Sequence, residues 1–168
     1  ICYWNSDSLN GRKAQPERFL QEECVLRYYN TATKTRVFSF QLTFTALNDT
    51  VKLGASEDEK HYSGFSARFG LPADVTFFAG KNEITPQLLG NIAGREVMMK
   101  GSFGETKDLT VIFKSDTEND AGEQKWILRK EKSMQNIAWP GNRSLIIIPP
   151  GESVTVTYKL ILTQNKNI

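Results

Sequence analysis

Apolar residues recur at every second position along much of the chain, the signature of strands with one buried face. Phe38, Phe40, Leu42, Phe44 and Ala46 alternate with Ser39, Gln41, Thr43 and Thr45. Near the end, Val154, Val156, Tyr158, Leu160 and Leu162 alternate with Ser153, Thr155, Thr157 and Lys159. Cys24, Leu26 and Tyr28 alternate with Glu23, Val25, Arg27 and Tyr29, and Leu109, Val111 and Phe113 with Thr110 and Ile112. Weaker strand patterns cover Tyr3-Trp4 and residues 61–69, 75–78, 96–100, 125–129 and 144–148. The two longest patterns predict that Phe38, Phe40, Leu42, Phe44, Val154, Val156, Tyr158, Leu160 and Leu162 enter one core. A slip of one residue would instead bury Ser39, Gln41, Thr43, Thr155 and Lys159, so the register is strongly specified. Their hydroxyl-rich faces read as solvent surface or as the lining of a shallow groove.

Turn formers separate these runs: Asn10-Gly11, Asn30-Thr31, Leu47-Asn48-Asp49, Gly70-Leu71-Pro72, Ala79-Gly80-Lys81-Asn82, Trp139-Pro140-Gly141-Asn142 and Pro149-Pro150-Gly151. Helical periodicity is never sustained for three turns. The best helical segment is 86–92, with Thr85 as cap and Pro86 at the first position, one or two turns at most. Many short strands joined by turns, without repeat or linker, predict one all-β domain over residues 1–168. Its architecture is an antiparallel β-sandwich of supersandwich or jelly-roll type.

Composition changes this picture little. With 168 residues, 39% hydrophobic, the chain suits one globular domain that needs no staple. A formal charge of +2 gives no pull toward nucleic acid or an anionic membrane. The longest aliphatic run, Leu145 to Ile148, ends at Pro149-Pro150 and is far too short to span a membrane. One histidine and two cysteines exclude Cys₄ and Cys₂His₂ metal sites, and no cofactor motif is present. Cys2 and Cys24 can pair only if their segments lie side by side, and they read equally well as two small buried thiols. Asn48-Asp49-Thr50 and Asn142-Arg143-Ser144 match the glycosylation pattern, which matters only in a eukaryotic secretory pathway. The chain starts at Ile1, as a processed or trimmed product would.

Candidate chemistry is sparse. No nucleophile elbow, phosphate loop, dinucleotide fingerprint or zinc-protease motif occurs. His61, the single histidine, lies near Asp58 and Glu59, and reads as a surface group or as a base on a strand at a pocket mouth. Arg68 would be its ligand clamp, although residues seven apart on a strand face opposite ways unless a bulge, placed at Gly64, intervenes. Glu83, Glu96, Glu105 and Asp108 carry no motif that marks a glycosidase pair. The acidic run 116–120 before Gly122 lacks the register of a calcium loop and reads as a solvated turn, and 130–132 as an exposed mixed-charge segment. Among the tryptophans, Trp126 beside Ile127 and Leu128 reads as core. Trp139, in a turn, reads as exposed and is the candidate sugar-stacking platform.

The order of several segments resembles one bacterial family. These are Glu22 to Tyr29, Phe38 to Leu47 and Val51-Lys52-Leu53-Gly54, followed by His61-Tyr62-Ser63-Gly64-Phe65-Ser66-Ala67-Arg68 and by Ile148 to Tyr158 with its Pro-Gly-Glu start. The family is the so-called methane-oxygenase PmoA-like family, similar in turn to galactose-mutarotase-like supersandwiches, and its name is a poor guide to activity. The match corresponds to the later half of a typical member, which implies that this chain is the C-terminal part of a longer protein. Two departures stand out: Gly94-Arg95-Glu96-Val97-Met98-Met99 replaces an aromatic-bearing segment, and 112–119 replaces a His-Pro-x-Asn loop. Of the family's polar positions, only His61 and Arg68 carry over. The resemblance implies an exported protein, periplasmic, cell-surface or secreted, associated with carbohydrate. With catalytic motifs depleted, the expectation is a domain that binds a sugar or glycan, with Arg68 and Trp139 as contacts. The alternative is a mutarotase-like or lyase-like enzyme with His61 as general acid or base.

Overall fold

The computed structural model describes residues 1–6, 17–31, 34–116, 124–131, 134–141 and 144–164. The Asn10-Gly11 turn, the acidic run from residue 117 onward with Gly122, and Asn142-Arg143 lie outside them. Among the described residues fourteen strands follow in order: β1 (Cys2–Ser6), β2 (Glu17–Thr31), β3 (Thr35–Ala46), β4 (Val51–Leu53), β5 (Phe65–Arg68), β6 (Thr76–Ala79) and β7 (Asn82–Ile84). Then come β8 (Asn91–Ala93), β9 (Glu96–Phe103), β10 (Thr106–Ser115), β11 (Gln124–Ile127), β12 (Met134–Ile137), β13 (Ile146–Ile148) and β14 (Ser153–Gln164). All pairings are antiparallel. An eight-stranded sheet runs β1-β2-β3-β14-β10-β9-β6-β7, a four-stranded sheet β5-β12-β11-β8 faces it, and β13-β4 form a ribbon. The protein is an antiparallel β-sandwich.

The strongest sequence patterns coincide with the long central strands. Registers Phe40↔Tyr158 and Leu42↔Val156 put the apolar residues of β3 and β14 on one face. Phe113↔Leu160 and Phe113↔Val97 continue that face into β10 and β9. The small sheet packs on it through aromatic rings. Phe65 lies 5.0 Å from Tyr158 and 4.8 Å from Phe40, and Trp126 meets Phe113 edge-on at 6.5 Å. Such offset and edge geometries suit the ring quadrupole. Tyr158 and Trp126 are fully buried between the layers. A second, smaller core joins Leu20 and Ala46 to Val51 and Ile148 under the β13-β4 ribbon.

On the outer face, hydroxyls pair across the ladder: Thr43 with Thr155 at 3.0 Å and Thr45 with Ser153 at 2.7 Å. This is the wet face that the alternation implies. Ser39 departs from it; it is buried where its cross-strand neighbours are the long side chains of Arg27 and Lys159. Phe38 departs in the opposite sense, half-buried against Tyr28 at 5.1 Å rather than inside the main core. The cause is the unequal width of the layers. The small sheet covers β3, β14 and β10 but stops short of β2, so Leu26 and Tyr28 share the apolar face and remain 55% and 52% exposed.

Three expectations need correction. Residues 86–92 form no helix: Leu88 and Leu89 make a turn and Asn91–Ala93 is a strand, because Asn91 accepts the Gln87 amide and donates to the Thr85 carbonyl. No described residue is helical, so no helix is long and apolar enough to cross a membrane. His61 lies in a loop, since the strand read at 61–69 begins only at Phe65. Cys2 and Cys24 sit on neighbouring strands yet are unbonded, and both thiols are exposed rather than buried, because they lie on the uncovered β1-β2 flank.

The two faces of the central strands differ in what they contribute. Phe40→Ala removes a ring wedged against Phe65 and is expected to cost on the order of 3–5 kcal/mol. Thr155→Ala removes one exposed hydroxyl pair and is expected to cost about 1 kcal/mol or less. Urea denaturation of both variants checks this; equal losses would mean that the outer face is covered as well.

Candidate functional site

Where the two layers diverge, the inner face of the large sheet becomes the floor of a cavity of about 440 Å³, within the range of small-ligand sites. Leu42 and Phe44 of β3 and Val156 and Tyr158 of β14 form this floor, the residues whose alternation fixes the register. Glu22 of β2 and Trp4 of β1 continue it toward the open flank. The opposite wall consists of Leu53 and Gly54, the segment Tyr62-Ser63-Gly64, Ser66, Asn136 and Trp139.

The wall depends on a tightly tied loop. Asp58 Oδ1 accepts the Ser56 hydroxyl at 2.9 Å and the backbone amides of Lys60 and His61 at 3.1 and 2.9 Å. These bonds, the Ser56 hydroxyl foremost, hold its carboxyl below the usual range despite some desolvation. Because the folded-state value is depressed, the loop gains this support above the ordinary carboxylate range and loses it as pH falls through the lowered value. Gly64 then turns the chain into β5 at φ +68°. A Cβ there would lie 2.4 Å from the Ile137 carbonyl oxygen and 2.7 Å from the Trp139 amide nitrogen, so only glycine permits this approach.

Two buried polar atoms in the lining have no hydrogen-bond partner: Asn136 Oδ1 and Tyr158 Oη. Asn136 Nδ2 donates to the carbonyls of Ser63 at 2.7 Å and Phe65 at 3.1 Å and to Ser66 Oγ at 2.9 Å. Carbonyls only accept, so the amide orientation is fixed and Oδ1 is left as an acceptor. Burial pushes the Tyr158 phenol well above its ordinary value, so it stays protonated and able to donate. Buried polar groups are almost always satisfied, so two orphans among the residues of one lining single it out as the candidate site.

Aromatic faces complete the lining. Trp139 stacks on Phe44 at 6.3 Å with an interplanar angle of 15°, and it is 5% exposed. Its turn composition suggests exposure, but the facing β3 strand covers it. Trp4 is 46% exposed at the mouth and donates through Nε1 to Glu22 Oε2 at 3.0 Å. Trp126 is core, with Nε1 donating to the Gly94 carbonyl at 2.9 Å.

The structure does not bring His61 and Arg68 together on this lining. His61 adopts φ +55° in the loop, and its Nδ1 lies 3.1 Å from the Ser56 carbonyl oxygen, so that nitrogen carries a proton and is occupied. Arg68 is exposed at the end of β5, opposite Met134. Of the two named ligand contacts, only Trp139 borders the cavity. Glu22, Tyr62, Ser63, Ser66, Asn136 and Tyr158 were not read as site residues, and for Tyr158 the one signal was a hydroxyl on an otherwise aliphatic strand face. No cluster of three or more metal-ligating side chains occurs among the described residues.

Fold and site together define an antiparallel β-sandwich protein with an aromatic, partly polar cavity between unequal layers. A family model matches residues 4–167, and the chain belongs to that family, DUF6807, a family of unknown function. None of the curated proteins and none of the solved structures matches the chain.

Gly64→Ala forces a side chain into backbone atoms at a positive φ and is expected to cost about 1–3 kcal/mol. Gly70→Ala, where nothing lies within 4 Å of the added carbon, serves as the control and should stay within about 0.5 kcal/mol. Thermal or urea unfolding of the pair measures the difference.

Proposed function

We propose that the protein is a carbohydrate-binding β-sandwich domain whose ligand site is the cavity between the layers. The observation that carries this reading is the pair of orphaned atoms, Asn136 Oδ1 and Tyr158 Oη, inside an aromatic lining. A sugar ring combines apolar C–H faces, which pack on indole and phenol rings, with hydroxyls that both donate and accept. Here a ligand hydroxyl donates to Asn136 Oδ1, and another accepts from Tyr158. Ser63 and Ser66 supply further edges, and Trp139 and Tyr62 supply faces. An exported destination belongs to the same proposal; its support is the resemblance of segment order to exported, carbohydrate-linked proteins. Binding without catalysis is the preferred form of the reading. His61 is committed to the loop backbone and Arg68 points to no shared cleft, so no acid–base pair faces the cavity from those positions.

Tyr158→Phe separates binding from stability. Removing a buried hydroxyl without a partner should leave the unfolding midpoint unchanged or raised. Loss of that donor should weaken sugar affinity by roughly three- to tenfold. Calorimetric titration against a panel of neutral, amino and acidic oligosaccharides reads the affinity. Absence of binding to any of them at millimolar concentration would overturn the proposal.

A further inference from the structure

The charge of the lining narrows the ligand class within the carbohydrate reading, on which this inference rests. Glu22 is the one acidic side chain of the described lining, which contains no lysine, arginine or histidine. Its position is set by the sheet: Glu22 pairs with Phe44 on one side and Cys2 on the other, so it shares the inner face. Oε2 accepts from Trp4 Nε1 at 3.0 Å, which leaves most of the carboxylate's acceptor capacity open. Asp116 forms ion pairs with Lys114 and Lys159, on the outer face and remote from Glu22 in the sheet order.

Two cations contact Tyr62 without being among the described lining residues. Arg129 donates to the carbonyls of Gln87, Leu88 and Leu128 at 3.2, 3.1 and 2.8 Å and to Tyr62 Oη at 3.3 Å, so its guanidinium is consumed. Lys60 Nζ lies 5.9 Å from the Tyr62 ring centroid. Neither is paired with Glu22, so the described lining carries a single acidic side chain beside the indole rings of Trp4 and Trp139. Carboxylate and indole faces both attract an ammonium group, and both repel a second carboxylate.

We infer that the sugar unit selected by this cavity carries a protonated amine, with Glu22 as its counter-ion and the Trp4 ring beside it. Asn136 and Tyr158 then take hydroxyls of the same ring. An amino sugar satisfies the whole lining; a neutral sugar leaves Glu22 without a cation, and a uronic acid places like charges together.

The test titrates matched oligomers of glucosamine, glucose and galacturonate into the wild type and Glu22→Gln in mildly acidic buffer, where the amine is protonated. The wild type should bind the glucosamine oligomer about tenfold more tightly than the glucose oligomer. The galacturonate oligomer should bind most weakly, and added salt should narrow the spread. Glu22→Gln keeps an acceptor for Trp4 and should bind the glucosamine and glucose oligomers alike, with an unchanged unfolding midpoint. If the variant proves unstable, Glu22→Asp, which keeps the charge, should restore the preference. Equal wild-type affinity for amino and neutral oligomers, or a preference that survives in Glu22→Gln, overturns the amine assignment while the carbohydrate reading stands. Failure of all three to bind the wild type overturns both.

Discussion

The molecule depends on the contact between a wide sheet and a narrow one. Phe65 and Trp126, from the four-stranded sheet, lock onto Tyr158 and Phe113 of the eight-stranded sheet, and this aromatic seam sets the spacing of the layers. Sheets pack face to face about 10 Å apart only where side chains from both can fill the gap. Four strands cannot cover eight. Beyond the seam the inner face of β1, β2 and the near end of β3 loses its cover, and the space beneath it is closed from the side by the loop that runs from Leu53 to Gly64 and by Trp139. The cavity is therefore a product of the mismatch in sheet width, and it forms where the most regular strands of the chain present their buried face.

This origin explains the mixture of groups in the site. Floor residues are those a core requires, apolar and aromatic, so they supply faces. Wall residues come from a loop and from β12, whose backbone is already arranged by Asp58, Gly64 and the Asn136 amide. Asn136 fixes the β5 entry with its nitrogen, and its oxygen is left without a partner. One side chain thus ties the wall together and keeps an unpaired acceptor. Tyr158 plays the corresponding part from below: its ring belongs to the seam, the residue belongs to the cavity floor, and its buried hydroxyl has no partner.

The legibility of the sequence follows from these same facts. A period of two tells which residues share a strand face, and β3, β10 and β14 could be read from it directly. It does not tell whether that face is covered, so Leu26 and Tyr28 look identical in pattern to Leu42 and Tyr158 yet end half in water. The strand β12 was missed because Gln135 and Asn136 are buried amides, which hydropathy assigns to the surface. Gln135 is satisfied by closing a ring with the Arg129 backbone, accepting its amide at 2.9 Å and donating to its carbonyl at 2.9 Å. Such satisfaction is a three-dimensional property with no local signature. Trp139 was placed by the proline and glycine that follow it, whereas the residue that decides its burial, Phe44, is distant in the chain. His61 and Arg68 drew attention as rare or charged residue types, and residue type says nothing about convergence.

The strand that carries Trp4 lies at the margin of the large sheet and is hydrogen-bonded on one side only, to β2. Its register also shifts between Trp4 and Asn5, so the ladder that holds it is interrupted beside the indole. Segments held by a single short ladder open at lower free energy than those clamped between two neighbours, as β3 and β14 are. The lining of the cavity is accordingly graded in compliance: a floor of β3 and β14 residues, clamped on both sides, faces a margin at β1 that opens at lower free energy.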